Sequence, residues 1–209
     1  MKATKLLLIT IIGILTLFLT VSCTEENILD SFEKEVSIFN DTSYTFNSLD
    51  PSIESINELS YQKNSSPILK LSDTENELIV FNELRLEVID LHDQIVLERD
   101  KIKDSVQDSR EIISVLKEKN YVLLEEDVTI LRSNITELKT MRRNLLNTRG
   151  DAYQRLYDLR GTYTRDNLTD IISTYQEVIE VLKYRLETFK NANILLQDSK
   201  DLLNDYLES

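Results

Sequence analysis

An all-α fold is predicted by three observations. Gly (3), Pro (2) and Trp (0) are scarce among 209 residues. Sheets and tight loops need Gly and Pro to turn the chain, and long helices avoid both. Charged residues make up 29 % of the chain, as in long solvated helices. From Asp73 to the C-terminal end, apolar residues recur at helical spacing. The expected architecture is an elongated, coiled-coil-like antiparallel bundle of three long helices over residues 73–209. Residues 1–22 precede it as a leader and residues 23–72 as a flexible tether.

The first bundle helix is expected near residues 75–118, with Ser72 or Asp73 as N-cap and acidic residues in its first turn. Leu84, Val88, Leu91 and Ile95 mark one of its faces. Lys117-Glu-Lys-Asn120 is a candidate helix end, a basic pair followed by Asn. A second helix is expected over 122–160 and a third over 166–208, separated by the break Gly161-Thr-Tyr-Thr-Arg-Asp166. Each spans about 60 Å at 1.5 Å per residue. Near-equal lengths let an up-down-up bundle cover every apolar stripe. The rival is a long two-helix hairpin running through Asn120 and bending near Gly150. An eleven-residue spacing supports that rival: Leu91, Ile102, Ile113, Leu124, Ile135 and Leu146. In the last helix Ile172, Tyr175, Ile179, Leu182, Leu186, Phe189, Leu196, Leu203 and Leu207 keep a heptad. Asn193 and Lys200 interrupt it at a-type positions, where a polar residue fixes register at some cost in stability.

The tether holds both prolines, Pro51 and Pro67, and is rich in Ser, Thr, Asn and Asp. Within it Asn27 to Phe39 has the spacing of a short amphipathic helix through Ile28, Leu29, Phe32, Val36 and Phe39. As a flexible chain the tether would span roughly 40 Å on average.

Before it, Lys2 and Lys5 flank an uncharged apolar run, Leu6 to Val21. At about 16 residues this run is shorter than the roughly 20 that span a bilayer as a helix. Its length and flanks are those of a secretory signal. Directly after it comes Cys23, the one cysteine of the chain, followed by Thr24-Glu25-Glu26-Asn27. Leu19-Thr20-Val21-Ser22-Cys23 resembles the lipobox of bacterial lipoproteins, with Thr20 where the family usually has Leu. The resemblance implies cleavage after Ser22, diacylglyceryl transfer to the Cys23 sulfur, and a lipid-anchored protein outside the cytoplasm. Glu25 and Glu26 resemble the acidic surface-export signals of some Bacteroidetes lipoproteins. Lipobox, tether and helical bundle together also resemble the cell-wall-binding lipoproteins of Gram-positive bacteria. Those carry a Tyr-rich segment late in the second helix, where this chain has Tyr153, Leu156, Tyr157 and Tyr163. Spirochaete surface lipoproteins share the layout.

The formal charge is −13, and loss of Lys2 and Lys5 with the leader takes it to −15. That balance repels nucleic acid phosphate, which is bound through Lys and Arg. One Cys and one His, His92, exclude an internal disulfide and metal sites built on several Cys or His. His92 beside Leu91 reads as a boundary residue, and Glu125-Glu126-Asp127 as a solvated face whose consecutive side chains diverge. No catalytic motif, metal site or cofactor is expected. The one basic stretch runs from Lys139 to Arg165. In it Arg149, Tyr153, Tyr157 and Arg160 share a helix face. Tyr and Arg are enriched at binding hot spots, so the four are a candidate docking patch for an anionic wall polymer or another envelope protein. The alternative for them is internal packing between two acidic helices. The functional expectation is a membrane-anchored, non-enzymatic binding or scaffolding module. Its rival is a helical spacer that self-associates through the C-terminal heptad.

Overall fold

The computed structural model describes residues 27–47, 60–61, 71–148, 162–163 and 167–208. Among them are four helices: α1 (Ile28–Asn47), α2 (Leu71–Glu118), α3 (Glu125–Asn147) and α4 (Leu168–Glu208). Two-residue strands β1 (Ser60–Tyr61) and β2 (Thr162–Tyr163) pair in parallel, Ser60 opposite Thr162. The all-helical class is therefore as the composition predicts. The count of helices is not.

The correction concerns residues 28–47, placed by the sequence reading in a flexible tether. They form α1, and Leu29, Phe32, Val36 and Phe39 are all buried in the common core. The short amphipathic pattern was the true signal, and it continues past Phe39 to Asn47. Asn27 starts the helix: its side-chain Oδ1 accepts the Leu29 N–H at 3.1 Å.

α2 ends where the Lys117–Asn120 signal predicts. Asn120 takes a positive φ of 54°, a conformation Asn tolerates better than other non-Gly residues. The Tyr121 N–H bonds the Leu116 carbonyl and the Asn120 N–H that of Lys117, which satisfies two carbonyls left over at the helix end. The continuous hairpin through Asn120 is thereby excluded. The eleven-residue stripe fails at the same place: Leu124 is exposed in the turn and Leu146 on α3, while Ile102, Ile113 and Ile135 are buried. α3 is also shorter than predicted, ending at Asn147 with Thr148 as its C-cap. The Thr148 hydroxyl donates to the Leu145 carbonyl at 2.6 Å. Buried Arg185 of α4 donates from Nε to the Thr148 hydroxyl at 3.0 Å, placing a cation at the helix's negative end.

Cross-helix bonds give the directions. Glu87 pairs with Lys183, Glu98 with Asn193 and Asp108 with Lys200, so α2 and α4 run parallel. Asp127 meets Tyr206, Asn134 meets Ser199 and Thr148 meets Arg185, so α3 runs antiparallel to α4. Glu33 pairs with Lys117 and Ser37 with Arg110, so α1 runs antiparallel to α2. The longest contact is between α2 and α4, while α1 packs on α2 and α3. The heptad of α4 is consumed in this arrangement. Tyr175, Ile179, Leu182, Leu186, Phe189, Leu196 and Leu203 are buried within one chain, with Tyr175 edge-on to Phe81 at 5.4 Å.

Candidate functional site

Cys23 and the four residues of the basic-aromatic patch, Arg149, Tyr153, Tyr157 and Arg160, lie outside the described residues. Of the basic stretch that contains the patch, Arg142 is described, and it has an internal role. Its Nε donates to the Glu35 carboxylate at 3.0 Å, and Glu35 is 3 % exposed. A long cation on α3 thus neutralises an acid carried inward by α1. Lys139 and Arg143, by contrast, point to solvent.

The clearest concave surface among the described residues is an open groove of about 790 Å³ along the outer side of the α2–α4 pair. Its α2 wall includes Glu98, Lys101, Asp104 and Asp108; its α4 wall includes Lys190, Asn193, Ile194 and Lys200. Asn193 and Lys200 are the two polar breaks in the heptad, and here they hold register. Asn193 donates from Nδ2 to the Glu98 carbonyl at 2.9 Å and to its carboxylate at 2.8 Å, and Lys200 reaches Asp108 at 3.2 Å. A slip of one helix along the other would break both. Burial pushes the Glu98 carboxyl up, but hydrogen bonds from Lys101 and Asn193, with the charges of Lys101 and Lys190, outweigh it and hold the group below its ordinary range. The Asn193 Oδ1 is buried without a hydrogen-bond partner, an unused acceptor at the groove floor. On its α4 wall Ile194 is 61 % exposed, and Leu97, one residue before Glu98 on α2, is an exposed apolar residue near it in sequence.

The groove therefore combines one exposed apolar side chain, Ile194, with charged walls in which Glu98 pairs with Lys101 and Asp108 with Lys200. It suits a docked polypeptide better than chemistry on a small substrate, because its titratable groups spend their charge on one another. Among the described residues no group of three or more His, Cys, Asp and Glu could hold a metal ion, and no helix is long and apolar enough to cross a membrane.

No family model, curated protein or solved structure matches the chain. Function therefore has to be argued from its own residues.

Other residues singled out in the sequence have modest structural roles. His92 is half-buried, its Nδ1 at 3.7 Å from Asp93. Glu125 and Glu126 are solvated, but Asp127 accepts a hydrogen bond from the Tyr206 hydroxyl. The Glu98–Asn193 pair was missed as a pair. Asn193 was visible as a heptad break, whereas its partner depends on the parallel register of α2 and α4, which periodicity within one helix does not encode.

Proposed function

We propose that this chain is a membrane-anchored extracytoplasmic lipoprotein, held by acyl chains on Cys23, whose helical body is a non-enzymatic binding or scaffolding module of the cell envelope. The observation that carries the proposal is Leu19-Thr20-Val21-Ser22-Cys23, an apolar run ending at the sole cysteine and followed at once by polar residues. Two or three acyl chains there would anchor firmly, each buried methylene contributing about 0.8 kcal/mol. The α2–α4 groove supports a binding role. Its partner is more readily another envelope protein than an anionic wall polymer, because Glu98, Asp104, Asp108 and Asp198 outnumber Lys101, Lys190 and Lys200 among its lining residues.

Metabolic labelling with a fatty acid tests the anchor. The wild-type chain should take up label, and Cys23→Ser should lose it and accumulate unprocessed or soluble protein. Undiminished labelling of Cys23→Ser would refute the assignment. The binding role is tested by capture from envelope fractions, comparing the wild-type chain with a Leu97→Ser/Ile194→Ser variant. A module that docks through the groove should lose its specific partner with that change.

A further inference from the structure

Three elements meet at one end of the molecule. α1 begins there: Glu33, in its second turn, bonds Lys117 at 2.9 Å, three residues before Asn120. The turn between α2 and α3 lies there, and so does the end of α4, where the Tyr206 hydroxyl accepts the Leu124 N–H at 2.8 Å. Only Thr24 to Asn27 separate Cys23 from Ile28, the first residue of α1. At no more than about 3.6 Å per residue, that stretch reaches under 20 Å. A lipid on Cys23 therefore holds this end of the body close to the bilayer, far nearer than a 50-residue tether would.

The turn at this end carries unexpected surface. Val122 is 86 % exposed, more than any other large apolar residue described, and Leu124 is 59 % exposed. Between and before them Tyr121 and Leu123 pack partly on the core, so the turn is fixed rather than loose. Backbone bonds on both sides hold it: Tyr121 N–H to Leu116, and Leu124 N–H to Tyr206. Two aliphatic side chains this exposed on a fixed turn gain little from folding in water. The surrounding charge is mostly acidic, with Glu118, Glu125 and Glu126 exposed beside Lys119. An anionic surface would be repelled, whereas a neutral one would accept the apolar pair.

We propose that the Asn120–Leu124 turn is a second membrane contact, in which Val122 and Leu124 dip into a zwitterionic lipid surface beside the acylated Cys23. The inference rests on the anchored-lipoprotein reading and adds an orientation to it: the bundle stands on this end, with the α2–α4 groove facing the aqueous side. The contact is weak by itself and matters because the anchor makes it intramolecular.

The test uses the full acylated chain reconstituted into phosphatidylcholine vesicles, with or without added phosphatidylglycerol. The chain has no Trp, so Val122→Trp gives a single reporter, and Leu97→Trp reports from an exposed site on α2, beside the groove residue Glu98. The expected result is blue-shifted emission and quenching by brominated lipid for Val122→Trp, both reduced by the anionic lipid, and neither for Leu97→Trp. A second variant, Leu124→Asp in the Val122→Trp background, should abolish the quenching while leaving the circular dichroism melt unchanged. Equal emission from Val122→Trp with and without vesicles would overturn the contact. So would quenching at Leu97→Trp as strong as at Val122→Trp. Fatty-acid labelling of the same preparation separates the two claims: labelled protein without quenching refutes the turn contact alone, and unlabelled protein refutes both.

Discussion

The two halves of the chain are built to one plan. Among the described residues α1–β1–α2 and α3–β2–α4 each comprise a short helix, a two-residue strand and a long return helix, and the strands pair in parallel. The long helices match position for position: Phe81 with Tyr175, Val88 with Leu182, Ile95 with Phe189 and Ile102 with Leu196, all buried at a constant separation in sequence. The halves differ in how the short helix is held. α3 is tied to α4 at both ends by uncharged or capping contacts, from Tyr206 and Arg185. α1 is held by its apolar face and by ion pairs, Lys117 with Glu33 and Arg142 with Glu35. One plan is thus stabilised by two kinds of chemistry. α1 lies in a segment that holds both prolines and is rich in Ser, Thr, Asn and Asp, a composition that points to a tether around a short amphipathic stretch, whereas α3 lies in a region of sustained helical spacing.

The largest effect should follow from removing α1. Leu29, Phe32, Val36 and Phe39 are each 4 % exposed or less. At about 1.5–3 kcal/mol per buried side chain their loss approaches 6–12 kcal/mol, comparable to the whole stability of a domain. Residues 73–209 expressed alone should therefore be helical but melt broadly, whereas a chain beginning at Asn27 should melt cooperatively. A sharp, unshifted transition in the shorter fragment, seen by circular dichroism or calorimetry, would show that α1 is dispensable and the two halves are not equivalent.

Next in size is the buried ion pair between α1 and α3, one of several that join the halves. Arg142→Met would leave the Glu35 carboxylate buried and unpaired, at a cost of about 3 kcal/mol. The lower end of the usual range applies because the Arg142 side chain is 27 % exposed and water is near. A double change, Glu35→Leu with Arg142→Met, should recover most of the loss, since an apolar pair needs no desolvation of charge. Urea unfolding of the three variants measures this directly. The pair also marks the limit of what was legible. The helical class, the break at Asn120 and the buried face of α4 all follow from local spacing and residue type. Glu35 against Arg142 and Glu98 against Asn193 are long-range contacts, set by which helices neighbour each other and in what direction. A charged residue looks the same in sequence whether it faces solvent or a partner.

The groove pair gives a smaller effect with a pH signature. Asn193→Leu removes the two Asn193 hydrogen bonds to Glu98, one to its carbonyl and one to its carboxylate, and should cost about 1–2 kcal/mol. Glu98 titrates below its ordinary range in the folded state, so its contribution is present above about pH 4 and lost as pH falls through the depressed value. In Asn193→Leu the folded-state value moves back toward the unfolded one, so that acid loss should be smaller and complete at higher pH than in the wild type. Acid titrations followed by circular dichroism at constant salt would show it. Superimposable acid limbs would mean that Lys101 and Lys190 alone set the Glu98 charge.

The smallest effect concerns the end tied by hydroxyl chemistry, and it contrasts the two halves most directly. Burial raises the Tyr206 pKa, and its hydrogen bond to Asp127 raises it further. The fold prefers the protonated phenol, so the contribution is whole below about pH 10 and is lost as pH rises through the raised value. Lys117, at the same end but in the other half, behaves in the same direction. Burial lowers its pKa, and the bonds it donates to Asp30 and Glu33, with their charges, more than offset this, so its contribution too is lost on the alkaline side. Tyr206→Phe should cost only about 1 kcal/mol at neutral pH, or roughly 2–4 °C in melting temperature for a chain of this size. It should also remove the phenol's share of the alkaline loss and leave that of Lys117. Lys117→Met should do the converse. If the alkaline limbs of both variants match the wild type, neither contact closes that end, and the Asn120–Leu124 turn must be held by its backbone bonds to Leu116 and Lys117 and by the packing of Tyr121 and Leu123.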